Sequence, residues 1–375
     1  MKTNLLVVLS GAALLFASCE KKLKDISPEQ RPLSAFSHLP KFPEPLIRVK
    51  NSMSLKDYLA DIQLSPTTFI KDSFWAAGTG KSVIYESTEQ AVLPDNEILA
   101  YPGSIIRGNS ISTMDFIPIA GYIPRPIRVG VTFPTTTPTG TIASPSLSET
   151  RVFLRNSLLN APGSGKQISS FSFELSRFTY YEEIKQSFGS NAKVKGIFSS
   201  SSSSSSWGQN KISKSTGVVL KFTQKNFDIS MDIPRDGQLI DPASNPNNFG
   251  QYSPVYVSSV TYGRMGIIVI ESNYSFNDVN SAFSKVTRKL FKSSSETLTT
   301  SEQQVIDNSE IQVFIVGGHG ETEAQAISGY DSFVNYVAGG GEFSAADPGV
   351  PIAFTLRYLS DHSLFKTRFQ VDFAN

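Results

Sequence analysis

Two short runs carry the residue types of a phosphate-binding loop. Gly78-Thr79-Gly80-Lys81-Ser82 and Gly163-Ser164-Gly165-Lys166 each set glycines ahead of a lysine. Cradling a phosphate needs a leading Gly five residues before the last one, then Lys and Ser/Thr. Trp75 occupies that leading position in the first run; Asn160 and Gln167 break the second. His38, His319 and His362 are scattered, without ligand spacing, and there is no His-x-Glu or Cys-x-x-Cys pair. No Gly-x-Ser-x-Gly elbow stands with a suitable His. The expectation is no enzyme, no catalytic residue, no metal and no cofactor.

Cys19 points to a different chemistry. Lys2 gives a positive start, Leu5 to Leu15 an apolar stretch, and Phe16-Ala17-Ser18-Cys19 reads as a lipobox. The apolar run is short for a membrane span, which makes 1–18 a lipoprotein signal peptide and Cys19 the acylated residue of the mature chain. An ordinary signal peptide that contains a Cys is the plainer alternative. As the one cysteine in 375 residues, Cys19 leaves no partner for an intrachain disulfide.

The elements that would hold any site are β-rich. Lys and Arg number 34 against 33 Asp and Glu, a net charge of +1, so nothing in the balance draws nucleic acid. With 26 Phe and 13 Tyr, the polar, aromatic-rich composition suits an extracellular β protein. Apolar residues alternate over 127–133, at Leu220 and Phe222, and at Phe227, Ile229, Met231 and Ile233. Further strands are read at 255–271, 311–316 (buried on both faces), 351–359 and 369–373. Helical spacing places Phe276, Val279, Ala282, Phe283, Val286, Leu290 and Phe291 on one helix, capped by Ser275 and Asp278. Val152, Phe153, Leu158 and Leu159 suggest a second helix. Phe333, Val334 and Val337 suggest a third, stopped by Gly339-Gly340-Gly341. The order lacks a βαβ rhythm, which makes the fold class α+β with a large antiparallel sheet. Residues 20 to about 50 read as a tether, and the eight serines Ser199–Ser206 as a linker.

Pro254-Val255-Tyr256-Val257-Ser258-Ser259-Val260-Thr261-Tyr262-Gly263-Arg264 resembles the run that enters the core sheet of the cholesterol-dependent cytolysins. Tyr101-Pro102-Gly103, Asn191-Ala192-Lys193-Val194, Ser275 to Leu290, Val316-Gly317-Gly318 and Phe343 to Thr355 resemble further blocks of that family, in the same order. The resemblance covers about 70–373. It implies a bent, twisted antiparallel core flanked by two helical clusters, in an elongated, multi-domain molecule. Residues 19–65 would be the N-terminal tether. Segments 66–89 and 364–375 would form a linker-like β domain, and 90–179, 234–273 and 350–363 a first domain. Segments 180–233 and 274–349 would be the pore-forming domain. The expectation is that the family's C-terminal sterol-recognition domain has no counterpart, since Trp75 and Trp207 both lie far upstream.

The function implied is a pore-forming toxin subunit. Segments 190–216 and 277–308 would convert from helix to transmembrane β-hairpins of a large barrel. Ala192, Val194, Phe198, Ile212, Val218, Phe283, Val286 and Leu290 are the membrane-inserting candidates. Gly317 and Gly318 would be the sheet hinge, or an ordinary turn after a strand. Tyr262, Gly263 and Arg264 form the core motif, and buried Arg264 needs a partner. Tyr180, Tyr181 and Ile311 are candidates for contact between subunits. The partners implied are membrane lipid and further copies of the chain, or a hetero-oligomer with a longer cytolysin-like protein. The location implied is secreted or cell-surface, lipid-anchored at an outer membrane until released or transferred to the target. The alternative is a non-lytic surface lipoprotein that binds through the same scaffold.

Overall fold

The computed structural model describes residues 36–51, 65–161, 170–199, 210–234, 238–292, 297–317, 325–328, 330–331, 334–335 and 343–374. In chain order the strands are β1 (Leu46–Val49), β2 (Thr68–Phe74), β3 (Gly80–Ser87), β4 (Glu89–Ala91), β5 (Ile105–Ile106), β6 (Ile127–Val131), β7 (Thr139–Ile142), β8 (Ser170–Phe178), β9 (Thr216–Met231), β10 (Val255–Ser272), β11 (Glu310–Val316), β12 (Gln325–Ser328), β13 (Val350–Tyr358) and β14 (Thr367–Ala374). The helices are α1 (Leu147–Leu159), α2 (Lys185–Phe188), α3 (Val194–Ser199), α4 (Phe276–Lys292) and α5 (Thr300–Asp307). Mixed helix and antiparallel sheet is the α+β class expected.

A four-stranded sheet runs β1-β14-β3-β2. Ile47, Val49, Val83, Tyr85, Phe369, Val371 and Phe373 form its own apolar cluster. The alternation of Phe369, Val371 and Phe373 is thus that of a half-buried strand. β1 pairs in parallel with β14, Ile47 opposite Phe369 and Val49 opposite Val371. This corrects the tether reading for 36–51: Phe36 is also buried and packs on Phe249 at 4.7 Å. A four-residue strand is too short to show a period, and only its cross-chain partner secures it.

The larger sheet is organised by its two longest strands. β9 and β10 pair antiparallel almost throughout, from Ser272 opposite Thr216 to Ser259 opposite Ser230. Each has two halves with different neighbours. The Val255–Gly263 half of β10 pairs with β13, and the Met265–Glu271 half with β11. On β9, β8 pairs along 217–225 and β6 along 229–231. Register shifts interrupt both β10 ladders at Tyr262, where Asn226 and Ile352 are the extra residues. Bulges of this kind bend a sheet and add twist.

Most helix and strand expectations hold. Asp278 N–H donates to Ser275 Oγ at the start of α4, 3.3 Å apart. On α1, Leu158 is buried and Phe153 packs against the core, but Val152 and Leu159 are exposed. The alternation read to Ile233 stops two residues early: the strand ends at Met231, Asp232 N–H makes one more bond in the same register, to the Arg128 carbonyl at 2.9 Å, and Ile233 beyond it is exposed. Residues 330–331 and 334–335 are helical, and the rest of the third expected helix with Gly339–Gly341 lies outside the described residues.

Candidate functional site

The stretch shared by β8, β9, β10 and β11 carries apolar side chains on both faces, and both need cover. Val218, Leu220, Phe222, Ile268, Ile270, Ile311, Val313 and Ile315 point to one face, where α4 and α5 lie over them with Val279, Ala282, Phe283, Val286, Val305 and Ile306. Val219, Ile267, Val269, Phe314 and Val316 point to the other. There the cover is Phe178, Tyr181, Ile184, Phe188, Ala192, Val194 and Phe198, from the short-helical run 178–199. Phe188 meets Phe314 edge-on at 5.3 Å. Hence β11 is buried on both sides, as its unbroken apolar run implies.

The two covers connect strand ends that lie together. Phe178 is opposite Gly217, Thr216 opposite Ser272, and Glu271 opposite Glu310. The β8–β9 and β10–β11 connections therefore leave the sheet at one end, and each carries one helical cover. Each is long enough for two strands of about 9–11 residues and a turn.

At the other end of this stretch the backbone is pinched. A Cβ on Gly263 would overlap the carbonyl oxygen of Gln224, and one on Gly317 would overlap that of Gly263. Gly317 adopts φ +81°, in the left-handed region that favours glycine. Gly318 lies outside the described residues. Tyr262 stacks on Phe227, rings 4.9 Å apart and 8° from parallel. Gln224 is one of the partners that Arg264 required: the Arg264 Nε donates to Gln224 Oε1 at 2.8 Å, and the guanidinium sits 5.7 Å from the Phe222 ring.

Residues 78–374 match the family model for thiol-activated cytolysins. The chain belongs to the thiol-activated cytolysin family. Among curated relatives, pneumolysin of Streptococcus pneumoniae is 26% identical over 152 residues, which are 38% of this chain and 31% of pneumolysin. Perfringolysin O of Clostridium perfringens is 24% identical over 164 residues, 42% of this chain and 32% of that protein. The aligned stretch thus spans about a third of the length of these relatives. The crystal structure of wild-type pneumolysin superposes with a TM-score of 0.65 at 17% identity, over 91% of this chain and 72% of that one. Listeriolysin O superposes at 0.64, over 90% and 70%. These likenesses establish the cytolysin fold.

Within this cytolysin fold the predicted residues divide between the covers. Ala192, Val194 and Phe198 are buried in the first, with Ile212 packed at its edge. Phe283 and Val286 are buried in the second, above Val218 of β9; the side chain of Leu290 lies outside the described residues. Of the first segment, residues 190–199 and 210–216 are described, and its cover begins earlier than expected, with Phe178 and Tyr181. Tyr181 and Ile311 are buried and Tyr180 is half-buried, so contact between subunits through the first two requires a cover to move. Cys19 lies outside the described residues.

Buried ionisable groups under the first cover escaped the sequence reading. Glu271 accepts from the Tyr181 hydroxyl, from Ser213 N–H at 2.7 Å and Oγ at 2.8 Å, and from Lys214 N–H at 3.2 Å. Burial, then the Glu271 hydrogen bond, pushes the Tyr181 phenol far above its usual range. Burial raises the Glu183 carboxyl to about 7, against the lowering effect of the Tyr180 and Thr179 N–H groups it accepts. Lys221 of β9 is buried between Leu220 and Phe222, in the opposite phase. A single charged residue within an apolar run, as Lys221 is, or closing one, as Glu271 does after Ile267–Ile270, was the available signal. The charges on α4 are conventional by comparison: Lys285 pairs with Glu302 at 2.7 Å on the exposed side, which holds Glu302 down to about 2.

Among the described residues, no helix is long and apolar enough to cross a membrane, which says nothing of a β-barrel. None of their His, Cys, Asp and Glu side chains form a group of three placed to hold a metal ion.

Proposed function

We propose that this chain is a pore-forming subunit that assembles on a membrane and converts its two helical covers into β-hairpins of one large barrel. The observation that carries this is the common end at which the β8–β9 and β10–β11 connections leave the sheet. Straightened, each would lengthen its two strands in the same direction, as adjacent hairpins of a single sheet. One subunit cannot enter lipid this way, because hydrocarbon leaves no water for the unpaired backbone at its edges; a closed ring of subunits pairs them all.

Ring closure needs two open edges per subunit. Among the described residues β8 pairs only with β9, so its outer edge is free, whereas β11 is capped by β12 over four residue pairs. β12 must leave before a neighbour's β8 can pair with β11. The bulges at Tyr262 and the Gly263–Gly317 contact mark where the sheet would unbend. An acyl chain on Cys19 would hold the subunit at the surface of the producing cell until release or transfer.

Dye release from liposomes by the chain carrying Cys19→Ser, with electron microscopy for rings, tests the reading. Release with rings supports it. Release only after addition of a longer cytolysin-like protein assigns the hetero-oligomer. Intact liposomes and no rings in every arm would overturn it in favour of a non-lytic binding protein on the cytolysin scaffold. The serine run Ser199–Ser206 favours that second reading, since it offers no apolar face to lipid.

A further inference from the structure

The two covers rest on very different surfaces. Under α4 and α5 the sheet presents an aliphatic and aromatic cluster, with the buried charge of Arg264 at its Phe222 end held by Gln224. Under the first cover the sheet presents Lys221, which is buried and donates from Nζ to two backbone carbonyls, Ser65 O and Ser187 O, each at 2.7 Å. Ser187 belongs to α2, within the first cover. Ser65 belongs to the segment leading into β2, and its N–H in turn donates to Glu174 Oε2 on β8 at 2.6 Å. One ammonium thus joins the central strand, the first cover and the approach to the smaller sheet.

The surroundings of that ammonium are under-satisfied. Six buried side-chain polar atoms lack a hydrogen-bond partner among the described residues, and four belong to the elements that meet here: Gln90 Oε1, Ser187 Oγ, Ser190 Oγ and Thr223 Oγ1. Gly189, between those two serines, fits so tightly that a Cβ would overlap the carbonyl oxygen of Glu89 and lie 2.8 Å from Pro66 Cγ. Buried polar atoms without partners carry a desolvation cost that opening to water removes.

We propose that Lys221 is the latch of the first helical cover, and that this cover leaves the sheet before the second. The latch deepens the pore-forming reading and rests on it for its purpose, although opening of the cover can be measured without a membrane. A lysine wholly enclosed by protein keeps its charge at a cost, which its release repays. Burial lowers its ammonium to about 8; the groups facing it are Glu89 on β4 and Glu174 on β8, which favour the charge, and Lys225 on its own strand, which opposes it. From α2 and from Ser65 it meets backbone carbonyls. A neutral amine can still donate to both carbonyls. The latch therefore tightens as pH rises from about 8 towards the usual lysine value of 10.5, because the folded side chain gives up its proton first.

Hydrogen exchange on the full chain in solution, read by peptide mass and corrected for the intrinsic pH dependence, tests the latch. In the unaltered chain, residues 181–199 exchange faster than 276–292, and their exchange slows as pH rises from 8 to 10, above the titration of Glu183 in the same cover; the reverse order or a flat profile over that range overturns the proposal. Lys221→Met orphans two carbonyls, and exchange of 181–199 should rise about tenfold or more while 276–292 stays unchanged. An equal rise in both segments would make Lys221 a support of the whole fold and no latch, as would no rise at all. If the variant does not fold, the pH profile of the unaltered chain decides alone. Liposome dye release reads the pore separately, so failure of one is not failure of the other.

Discussion

Gly317 lies against Gly263 so closely that a Cβ on the first would collide with the carbonyl oxygen of the second. The contact sits where β11 leaves β10 and β13 takes its place, beside the bulge at Tyr262. The tightest contact at each glycine is backbone; around Gly317, Val350 Cγ2 at 3.0 Å and Arg264 Cα at 3.1 Å also crowd that point, and Gln224 C lies 3.1 Å from a Cβ on Gly263. Gly263→Ala and Gly317→Ala are therefore expected to destabilise by about 3 kcal/mol or more each, through backbone displacement. Urea unfolding measures it, and a cost within about 0.5 kcal/mol, the range of a neutral surface change, would refute the pinch.

Glu271 receives its donors from the loop before β9 and from Tyr181. Glu271→Ala strands buried donors and should cost about 3–5 kcal/mol, the range for breaking a buried charged network. Tyr181→Phe removes one of those bonds and should cost about 1–3 kcal/mol. If both cost the same, the carboxylate is not the organising group.

Glu183 sets a pH dependence of defined sign. Its carboxyl is raised to about 7 in the fold against 4.5 for the free group, so the folded chain holds the proton more tightly. Its contribution is full below pH 4.5 and is lost as pH rises through 7, about 3 kcal/mol in all. Glu183→Gln keeps an acceptor for the Thr179 and Tyr180 N–H groups without a charge. It should flatten that slope and make the variant the more stable form at pH 8, in denaturant titrations between pH 5 and 8. An unchanged slope would place the titration elsewhere.

Phe283 fills the contact between α4 and the sheet. Phe283→Ala should cost about 3–5 kcal/mol through the cavity left behind. Val152→Ala, on the exposed side of α1, should stay within about 0.5 kcal/mol. Comparable thermal shifts for the two would contradict the burial of α4.

Elements that carry their own period could be read directly from the chain. β10 and α4 were legible because a long β-rich run and a set of 3.6-spaced apolar residues each leave few other ways to bury them. β1 was not, since four residues show no period and its partner β14 lies more than 300 residues away. Ile233 was misread because alternation does not report where the last cross-strand bond falls and the cover over the strand ends. Lys221, Glu183 and Glu271 were passed over because charged side chains are ordinarily solvated, and no pattern along the chain says that a second layer will close over them.

What the sequence determined by itself is a cytolysin-like order of blocks, a β-rich core and two polar-faced segments between core strands. Only the tertiary structure decided that those segments cover opposite faces of one sheet, leave it from the same end, and rest on unlike surfaces. The physical reason is that pattern along a chain encodes which faces must be buried, whereas the cover for each face comes from residues distant in sequence. Whether a lysine such as Lys221 is solvated or enclosed is set by that cover.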